Sequence, residues 1–423
     1  MKMKKILILA YDFPPYNSIG GQRPYAWYKY FKEFGYEPIV VTRHWDESIN
    51  NPIDYIKPSK NQTAFIEQHP EGVIYRAAFR PNLRDKLILK YEMNKHVLIR
   101  KGLSMFYMLV EFLIAGFDNR KTIHLLAQQA MKEHKVDLII ATGEPFILFN
   151  YAAALSKQFT VPWVADYRDG WSTNHNRSGI EKKYYSIIEK RILATAWVVT
   201  AASQEFSDEL HIFLKRKVSV SLNGYFHEKF DLSGSSVKQD KFIISFAGTL
   251  YPYQPIEMFA KGFALFFSKY NKDIVLKFIG VNFYPDQVSR IKQAFAGYGQ
   301  LLECTDRLPH DETVQLLNQS SLLLLPANSS HPQIYAKVFD YLALRKNIVL
   351  FKSDGGSLHK IISETHSGLI CNTAEEIALA LEKMYEEWKE NGYVVCNSTG
   401  IEKYSRKNQT RLLVEKLNAL IVE

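Results

Sequence analysis

The sequence contains few cysteines. Its 423 residues include only three, Cys304, Cys371 and Cys396, and no two of them stand close together in the chain. This number and spacing exclude a disulfide framework and a cysteine-bound metal cluster. We therefore expect a protein of a reduced, cytoplasmic compartment.

Long hydrophobic runs are also missing. No segment reaches the roughly 18 consecutive apolar residues of a membrane-spanning helix. The nearest one, Leu103–Phe117, is shorter and contains Glu111. After the basic N-terminal residues the apolar run is Ile6–Ala10. It is shorter than the roughly 7–15 residues of a signal-peptide core and is interpreted as a buried strand.

Positive charge is concentrated in one segment. The formal net charge is +9, and residues 76–101 hold eight Lys and Arg against two acidic residues. Basic residues beside an apolar, helix-like segment are typical of contact with an anionic membrane surface, here through residues 76–117 at the inner face of the plasma membrane. The alternative is a helix pair with a solvated basic face. A local excess without a recognition motif argues against nucleic acid as a partner.

Short apolar runs alternate with longer amphipathic segments along the chain. Runs such as KILILAY and DLIIAT in the first half, and FIISFAGT and NIVLFK in the second, show little polar alternation. They predict buried parallel strands, and their alternation with helical patterns predicts doubly wound α/β layers.

The polar stretch DLSGSSVKQD divides this pattern into two halves. We expect two Rossmann-like doubly wound domains facing a cleft. The predicted divisions are a first domain over 1–230, a linker over 231–240, a second domain over 241–404, and a C-terminal helix over 405–423 that packs back on the first domain.

A pair of glycines follows the first predicted strand, in YDFPPYNSIGGQRP. No Gly-x-Gly-x-x-Gly fingerprint occurs there, which argues against a dinucleotide-dependent oxidoreductase. Proline fits a first helical turn, so the pattern predicts a loop over Asp12–Gln22 and a helix from about Arg23–Pro24. In this loop Gly20 and Gly21 would present backbone N–H groups to an anion, unless they serve only as turn residues.

A second candidate segment, SSHPQIYAKVFDYLALRKNIVLF, follows the predicted strand LLLLPA. A helix that begins there offers free N–H groups and partial positive charge to a phosphate. Lys337 lies about one turn inside and adds a point charge, and Asp340 is placed to accept hydrogen bonds from a ribose diol. The alternative is an ordinary helix with two solvated neighbours.

With these segments the sequence resembles the GT-B glycosyltransferases of family 4. In the family's order, the resemblance rests on the PP…GG loop, VPWVADYRDGW, VSVSLNGYFHEKF and YAKVFDYLALRKNIVL. The second segment is similar to the PW-ADFRDPW signature of one bacterial branch. ISFAGTLYPYQP is similar to the first strand and loop of the family's donor domain.

The resemblance implies a retaining transfer of a hexose-type sugar from a nucleoside diphosphate to a glycan or lipid-linked acceptor in surface polysaccharide biosynthesis. It implies no obligatory metal and no cofactor beyond the nucleotide-sugar co-substrate. The donor would lie mainly on the second domain and the acceptor mainly on the first.

The resemblance also implies site residues. The donor contacts are Gly20, Gly21, Arg23, Gly248, Thr249, Gln333, Ile334, Tyr335, Lys337 and Asp340.

Three polar residues in VADYRD are catalytic candidates, because they end a predicted strand. Asp166 or Asp169 would orient or deprotonate the acceptor hydroxyl, and Arg168 would stabilise phosphate charge. An internal Asp–Arg pair that braces the loop is the alternative. Glu144, in TGEP, is a candidate for acceptor binding, with helix capping as its alternative.

Two positions depart from the family pattern. Pro332 stands where the first acid of the Glu-x7-Glu pair is expected, and Thr249 follows Gly248 where the family has a basic residue. A second hypothesis is therefore a catalytically impaired protein of this fold that binds a nucleotide or a partner without turnover.

Overall fold

The chain divides into two compact units. In this computed structural model the described residues are 3–16, 18–46, 52–92, 95–113, 118–174, 177–230, 238–328 and 333–422. The first unit comprises Met1–Ala202, Phe206–Ser221 and Thr410–Glu423, and the second comprises Ser203–Glu205 and Leu222–Gln409. Most of the predicted linker, residues 231–237, lies outside the described residues.

The first unit is built on an eight-stranded sheet in the order β3-β4-β2-β1-β5-β6-β7-β8. Its strands are β1 (Lys4–Leu9), β2 (Tyr36–Arg43), β3 (Phe65–Gln68), β4 (Val73–Ala77), β5 (Leu138–Gly143), β6 (Trp163–Tyr167), β7 (Val198–Ala201) and β8 (Ser219–Val220). Neighbouring strands are parallel except for β3, which pairs antiparallel with β4.

Helices cover both faces of this sheet, as crossover connections between parallel strands require. They are α1 (Ile19–Tyr30), α2 (Leu83–Tyr91), α3 (Val97–Val110), α4 (Lys121–Glu133), α5 (Ile147–Phe159), α6 (Gly179–Leu193) and α7 (Gln204–Leu214). The central strands are buried on both faces, which explains why they read as continuous apolar runs.

The second unit has a six-stranded parallel sheet in the order β11-β10-β9-β12-β13-β14. The strands are β9 (Phe242–Ala247), β10 (Ile274–Ile279), β11 (Leu302–Cys304), β12 (Leu322–Pro326), β13 (Asn347–Phe351) and β14 (Gly368–Cys371). Its helices are α8 (Ile256–Phe267), α9 (Pro285–Ala294), α10 (His310–Asn318), α11 (Lys337–Ala343), α12 (Ser357–Thr365) and α13 (Ala374–Asn391), and α14 (Arg406–Val422) follows them in the chain.

The last helix contributes to the core of the first unit. From Thr410 onward α14 belongs to that unit, and Leu413, Val414 and Leu417 are buried with residues of β1 and β2 such as Ile6 and Val40. Among the described residues, no helix has both the length and the apolar content that crossing a membrane requires.

A buried ion pair connects α1 to β6. Arg23 Nε and Nη2 donate to the two carboxylate oxygens of Asp166 at 2.9 and 2.6 Å, and both side chains are almost completely buried. The hydroxyls of Thr142 on β5 and Thr200 on β7 donate to the same carboxylate at 3.0 and 2.6 Å. Four donors fill the acceptor sites of one carboxylate. Asp166 therefore holds three neighbouring strands and α1 together.

This arrangement differs from the sequence-based expectation for both residues. Asp166 or Asp169 was expected to act on an acceptor hydroxyl and Arg23 to contact the donor, but Asp166 and Arg23 are paired with each other in the interior of the unit. The alternative of an internal Asp–Arg pair describes the geometry, although the partner of Asp166 is Arg23 rather than Arg168.

We predict that Asp166→Asn strongly destabilises the first unit. The substitution keeps the volume but removes the negative charge that faces the buried Arg23 guanidinium, a loss of about 3–5 kcal/mol in the free energy of unfolding. Urea unfolding followed by tryptophan fluorescence measures it, since five of the six tryptophans belong to the first unit.

The matched control is Asp169→Asn, three residues along the same segment. Asp169 is exposed, so its loss changes the free energy of unfolding by no more than about 0.5 kcal/mol. Equal urea midpoints for the two variants would contradict the structural role of Asp166.

Candidate functional site

The first unit brings three candidate loops to one edge of its sheet. Strands β2 to β4 lie on one side of the β1–β5 pair, and strands β6 to β8 lie on the other. Such a reversal of strand order in a parallel sheet leaves a crevice beyond the carboxyl ends of the strands. Asp12 follows β1, Glu144 follows β5, and Arg168 and Asp169 follow β6.

The two glycines lie in the first turn of α1 rather than in a loop before it. The helix begins at Ile19, four residues earlier than predicted, because the Ser18 hydroxyl accepts a hydrogen bond from Gly21 N at 2.9 Å. Serine is a favoured N-cap residue, and this bond satisfies one of the free N–H groups of the first turn. Pro24 consequently stands inside the helix and not at its start.

The close approach that the glycines permit is made by the protein itself. A Cβ atom added at Gly20 would lie 1.6 Å from Nη1 of Arg168, and one at Gly21 would lie 3.2 Å from the backbone of Asp12 and Phe13. Gly20 thus leaves room for the Arg168 guanidinium. The Arg168 guanidinium therefore lies at this edge of the sheet, next to the backbone of Gly20.

Arg168 is held by backbone carbonyls. Its Nε donates to the carbonyl of Gly143 and its Nη2 to that of Glu144, both at 2.7 Å. Close by, the Asp12 carboxylate accepts from the Ser18 hydroxyl at 3.0 Å. Burial raises the pKa of Asp12, and the charge of Arg168 partly opposes this rise. The loops after β6 and β1 therefore bring the Arg168 guanidinium and the Asp12 carboxyl group to the same edge of the sheet.

The remaining acidic candidates of this edge are more open. Glu144 and Asp169 are both exposed residues. The pKa of Glu144 is raised, first by partial burial of its carboxyl group and then by the neighbouring Asp169 carboxylate. These two groups are consequently available to a ligand, unlike Asp166.

A cavity of about 340 Å³ opens beside these loops within the first unit. We call it the edge cavity, and its lining includes Tyr11, Tyr107, Glu111, Arg120, Trp171 and Arg177. Glu144 also lines it. The cavity combines aromatic rings with charged groups, as small-molecule sites do.

The second unit has an equivalent edge between β9 and β12. The strand order turns in opposite directions on either side of this pair, and the loops that follow the two strands contain the predicted donor residues. Gly248, directly after β9, has a φ of +83°, a conformation that favours glycine. Its neighbour Gly280, which follows β10, has a φ of +77°.

The amine of Lys337 lies against the loop that follows β9. Nζ donates to the carbonyl of Thr249 at 3.3 Å and lies 3.9 Å from the centre of the Phe246 ring. Among the described residues the amine has no carboxylate partner. Burial lowers the pKa of Lys337 to about 7, since nothing negative nearby compensates for the lost hydration. The amine is a positive charge that a bound anion would stabilise.

Asp340, one turn later in α11, is paired with a histidine that the sequence did not reveal. His310 Nε2 lies 3.3 Å from Asp340 Oδ2. The hydrogen bond to Asp340 raises the pKa of His310, and burial partly opposes this effect. One carboxylate oxygen of Asp340 is thus taken by His310, which leaves the other for a ligand.

The segment before α11 departs from the expected helix start. The helix begins at Lys337 and has seven residues, so Gln333, Ile334 and Tyr335 precede it as irregular chain. Gln333 is exposed, whereas Tyr335 is buried with its ring 6.2 Å from that of Tyr251. Pro332 lies outside the described residues. A helix of seven residues contributes little to anion binding at its N-terminus. The group expected to contact an anion here is the amine of Lys337.

Sequence reasoning missed four groups that the structure brings to these edges. Asp12 directly follows a predicted strand, and the rule that ligands sit at strand ends would have identified it. No local sequence pattern marks His310, Arg120 or Arg177, because their positions at the sites depend on contacts with distant segments.

Several solved structures have a similar fold. A glycosyltransferase from Rickettsia africae ESF-5 has a TM-score of 0.62 at 14% identity, over 100% of this chain and 99% of that one. HepE from Anabaena in complex with UDP and glucose has a TM-score of 0.58 at 14% identity, with 98% and 100% covered. Sucrose-phosphate synthase from Thermosynechococcus elongatus has a TM-score of 0.56 at 14% identity, with 99% and 96% covered.

The sequence comparisons gave no match. No protein-family model and no curated protein sequence matches the chain. Structural similarity at such low identity establishes the fold alone. The strand orders, the two α/β units and these neighbours together confirm the fold that the resemblance implied: the chain has the GT-B fold, with two Rossmann-like domains.

Proposed function

We propose that the protein is a retaining glycosyltransferase that moves a hexose-type sugar from a nucleoside diphosphate to a glycan or lipid-linked acceptor of a surface polysaccharide. The observation that carries this proposal is Lys337, a cation at the carboxyl edge of the second sheet that has no carboxylate partner among the described residues. The neighbour HepE, whose structure contains UDP and glucose, supports a uridine nucleotide as the first donor to test.

In the donor site the Lys337 ammonium takes the diphosphate. Its amine lies beside Gly248, where an added Cβ atom would be 3.8 Å from Nζ. A preorganised positive charge stabilises the leaving diphosphate most strongly where water is excluded. The free oxygen of Asp340 accepts from the ribose diol while His310 holds the other oxygen. Thr249, Gln333, Ile334 and Tyr335 border the same site.

In the first unit, Arg168 and the open carboxylates serve the reaction. Arg168 adds positive charge at this edge, and Asp169 and Glu144 orient the acceptor hydroxyl. Gly20 keeps space for the Arg168 guanidinium, and Gly21 for the backbone of Asp12 and Phe13. Asp166 and Arg23 position this edge through their buried pair and do not contact substrate.

A second candidate function is nucleotide binding without turnover. The observation in its favour is the loop after Gly248, which contains no Arg or Lys up to Pro255, so that Lys337 is the basic group on which the diphosphate depends. Binding assays do not distinguish the two functions. Release of UDP from a UDP-sugar in the presence of acceptor does, and its absence with every acceptor tested would favour the second function.

We predict that UDP binds with a pH dependence that is set by Lys337. A diphosphate favours the ammonium, whereas the free protein loses this proton as the pH rises past about 7. The affinity for UDP therefore falls between pH 7 and pH 9, by at most about tenfold per pH unit. Titration calorimetry in two buffers of different ionisation enthalpy measures both the affinity and the proton uptake.

Two variants separate this effect from general destabilisation. Lys337→Met abolishes binding, and Lys337→Arg restores it without the pH dependence, because a guanidinium stays protonated. Lys346→Met is the matched control, since Lys346 has a pKa lowered by burial but precedes β13, away from the loop that follows β9. Unchanged UDP affinity in Lys337→Met would contradict the donor site.

We also propose that α3 attaches the protein to an anionic membrane surface. Within α3, Val97–Val110, no residue is buried, and six large apolar side chains are exposed: Val97, Leu98, Ile99, Met105, Phe106 and Leu109. The hydroxyl of Tyr184 donates to the carbonyls of Met108 and Leu109 at 2.9 and 2.8 Å, which fixes the end of the helix. The basic residues 76–101 supply the attraction to anionic lipid.

We predict that the protein sediments with vesicles containing phosphatidylglycerol and does so less at high salt. The double variant Leu98→Ser/Phe106→Ser lowers the partition coefficient at least about tenfold, because two buried apolar side chains contribute roughly 3 kcal/mol or more. Leu379→Ser, an exposed leucine on α13 of the second unit, is the control and leaves it unchanged. Equal sedimentation with neutral vesicles would contradict the electrostatic part of the proposal.

A further inference from the structure

Helix α3 forms a wall of the edge cavity with one side and exposes apolar side chains on the other. The residues of α3 and of its C-terminal cap that line the cavity recur three, four and seven positions after the first: Ser104, Tyr107, Met108 and Glu111. Such spacing places them on one side of a helix. The exposed apolar side chains of the other side include Leu98, Met105, Phe106 and Leu109. One helix thus separates the cavity from the surface proposed to contact lipid.

The remaining walls of the cavity are largely aromatic. Tyr11 follows β1, and Trp171 follows β6 and stacks on the ring of Phe146, with 5.0 Å between the ring centroids. The cavity volume of about 340 Å³ lies within the roughly 300–1,000 Å³ of small-ligand sites. Aromatic faces pack well against the C–H faces of a sugar ring. These walls are therefore suited to one sugar residue.

The charges of the lining nearly cancel. Its acidic residues are Asp85, Glu111, Asp118 and Glu144, and its arginines are Arg84, Arg120 and Arg177. Glu111 and Asp118 stabilise the positive charge of Arg120. An ion that enters such a cavity loses hydration without meeting a net opposite charge, which is unfavourable. The lining therefore favours an uncharged ligand over an anion or a cation.

Several polar groups of the lining are open to hydroxyl groups. No described residue donates a hydrogen bond to the carboxylate of Glu111, and none accepts one from the two Nη groups of Arg177. The hydroxyl of Tyr107 accepts a hydrogen bond from the backbone N–H of Leu83 at 3.4 Å and keeps its own proton for donation. A sugar hydroxyl both donates and accepts, so it pairs with a carboxylate and with a guanidinium.

The surface proposed to contact lipid lies within one helix diameter of this cavity. An α-helix with its side chains is about 10–12 Å thick. With Leu98 and Phe106 in the lipid, a sugar ring in the cavity lies at the level of the lipid headgroups. A short link then connects that ring to an acyl chain in the membrane. A sugar on a soluble glycan gains nothing from this arrangement, whereas a sugar on a lipid does.

We infer that the edge cavity binds an uncharged sugar residue of a lipid-linked acceptor, with Glu111 and Arg177 on its hydroxyl groups and α3 between the sugar and the lipid. The inference rests on the proposed function for the role of this sugar as the acceptor. It narrows that function, which includes both glycan and lipid-linked acceptors, to a neutral sugar presented at a membrane surface.

The first experiment is a ligand-observed NMR titration of the full chain with soluble methyl glycosides of glucose, galactose, mannose and N-acetylglucosamine. Methyl glucuronide and methyl glucosaminide are the anionic and cationic comparison ligands. At least one neutral glycoside binds about tenfold or more tightly than either charged one, because the charged ligands lose hydration without compensation. Binding of none of the neutral glycosides, or tighter binding of a charged one, overturns the inference.

Substitutions on the cavity side of α3 locate the binding. Glu111→Ala lowers the affinity for the neutral glycoside at least about tenfold, the effect expected of a lost hydrogen bond to a charged group. Tyr107→Leu, which keeps an apolar side chain in the same wall, is the second variant if Glu111→Ala fails to fold. Glu209→Ala is the control, since Glu209 is an exposed acid on α7 outside the lining. Unchanged glycoside affinity in the cavity variants overturns the inference.

The second experiment tests the link to lipid with phosphatidylglycerol vesicles, with and without a minor fraction of diacylglycerol that carries the best-binding sugar. The glycolipid raises the partition coefficient at least about threefold, because the cavity and α3 then bind the same surface. Glu111→Ala removes this increase but still sediments with vesicles that lack the glycolipid. Leu98→Ser/Phe106→Ser loses sedimentation and keeps its affinity for the soluble glycoside. No increase with the glycolipid overturns the inference.

These outcomes are separable from those of the donor site. UDP binding without glycoside binding refutes only this inference. Glycoside binding in a protein that does not bind UDP refutes the proposed donor site instead.

Discussion

The carboxylate of Asp166 organises the edge of the first unit. It accepts hydrogen bonds from Arg23, Thr142 and Thr200, and these residues belong to α1, β5 and β7, while Asp166 itself is on β6. A buried carboxylate with all its acceptor sites filled is rigid, because any movement exposes an unpaired charge. The position of α1 relative to the strand ends, and with it the placement of Gly20 beside Arg168, follows from this contact.

At the edge of the second sheet, Lys337 is a cation without a carboxylate partner among the described residues. Its amine contacts the carbonyl of Thr249 and the ring of Phe246. Such groups cost stability in the free protein and recover it when an anion binds. The surrounding cores of buried strands and aromatic side chains make that cost tolerable.

Most of the fold could be predicted from apolar runs, and the exceptions have a physical cause. Strand β3 alternates between half-buried and exposed residues and pairs antiparallel at the sheet edge, and β11 has only three residues. Neither presents a continuous apolar run. Lys337 and Asp340 could be proposed as donor contacts from the sequence because their spacing along a helix is local. The partners His310, 30 residues from Asp340, and Arg23, 143 residues from Asp166, depend on tertiary contacts that no local pattern contains.

Burial of Lys337 makes the proposed donor edge sensitive to pH near neutrality. A rise in pH removes the positive charge that a diphosphate requires, because burial disfavours the charged form of the amine and lowers its pKa to about 7. A bound diphosphate opposes this loss by favouring the ammonium. A transferase that uses this site would therefore lose donor affinity on the alkaline side of neutrality, and its activity at limiting donor concentration would decline with that affinity.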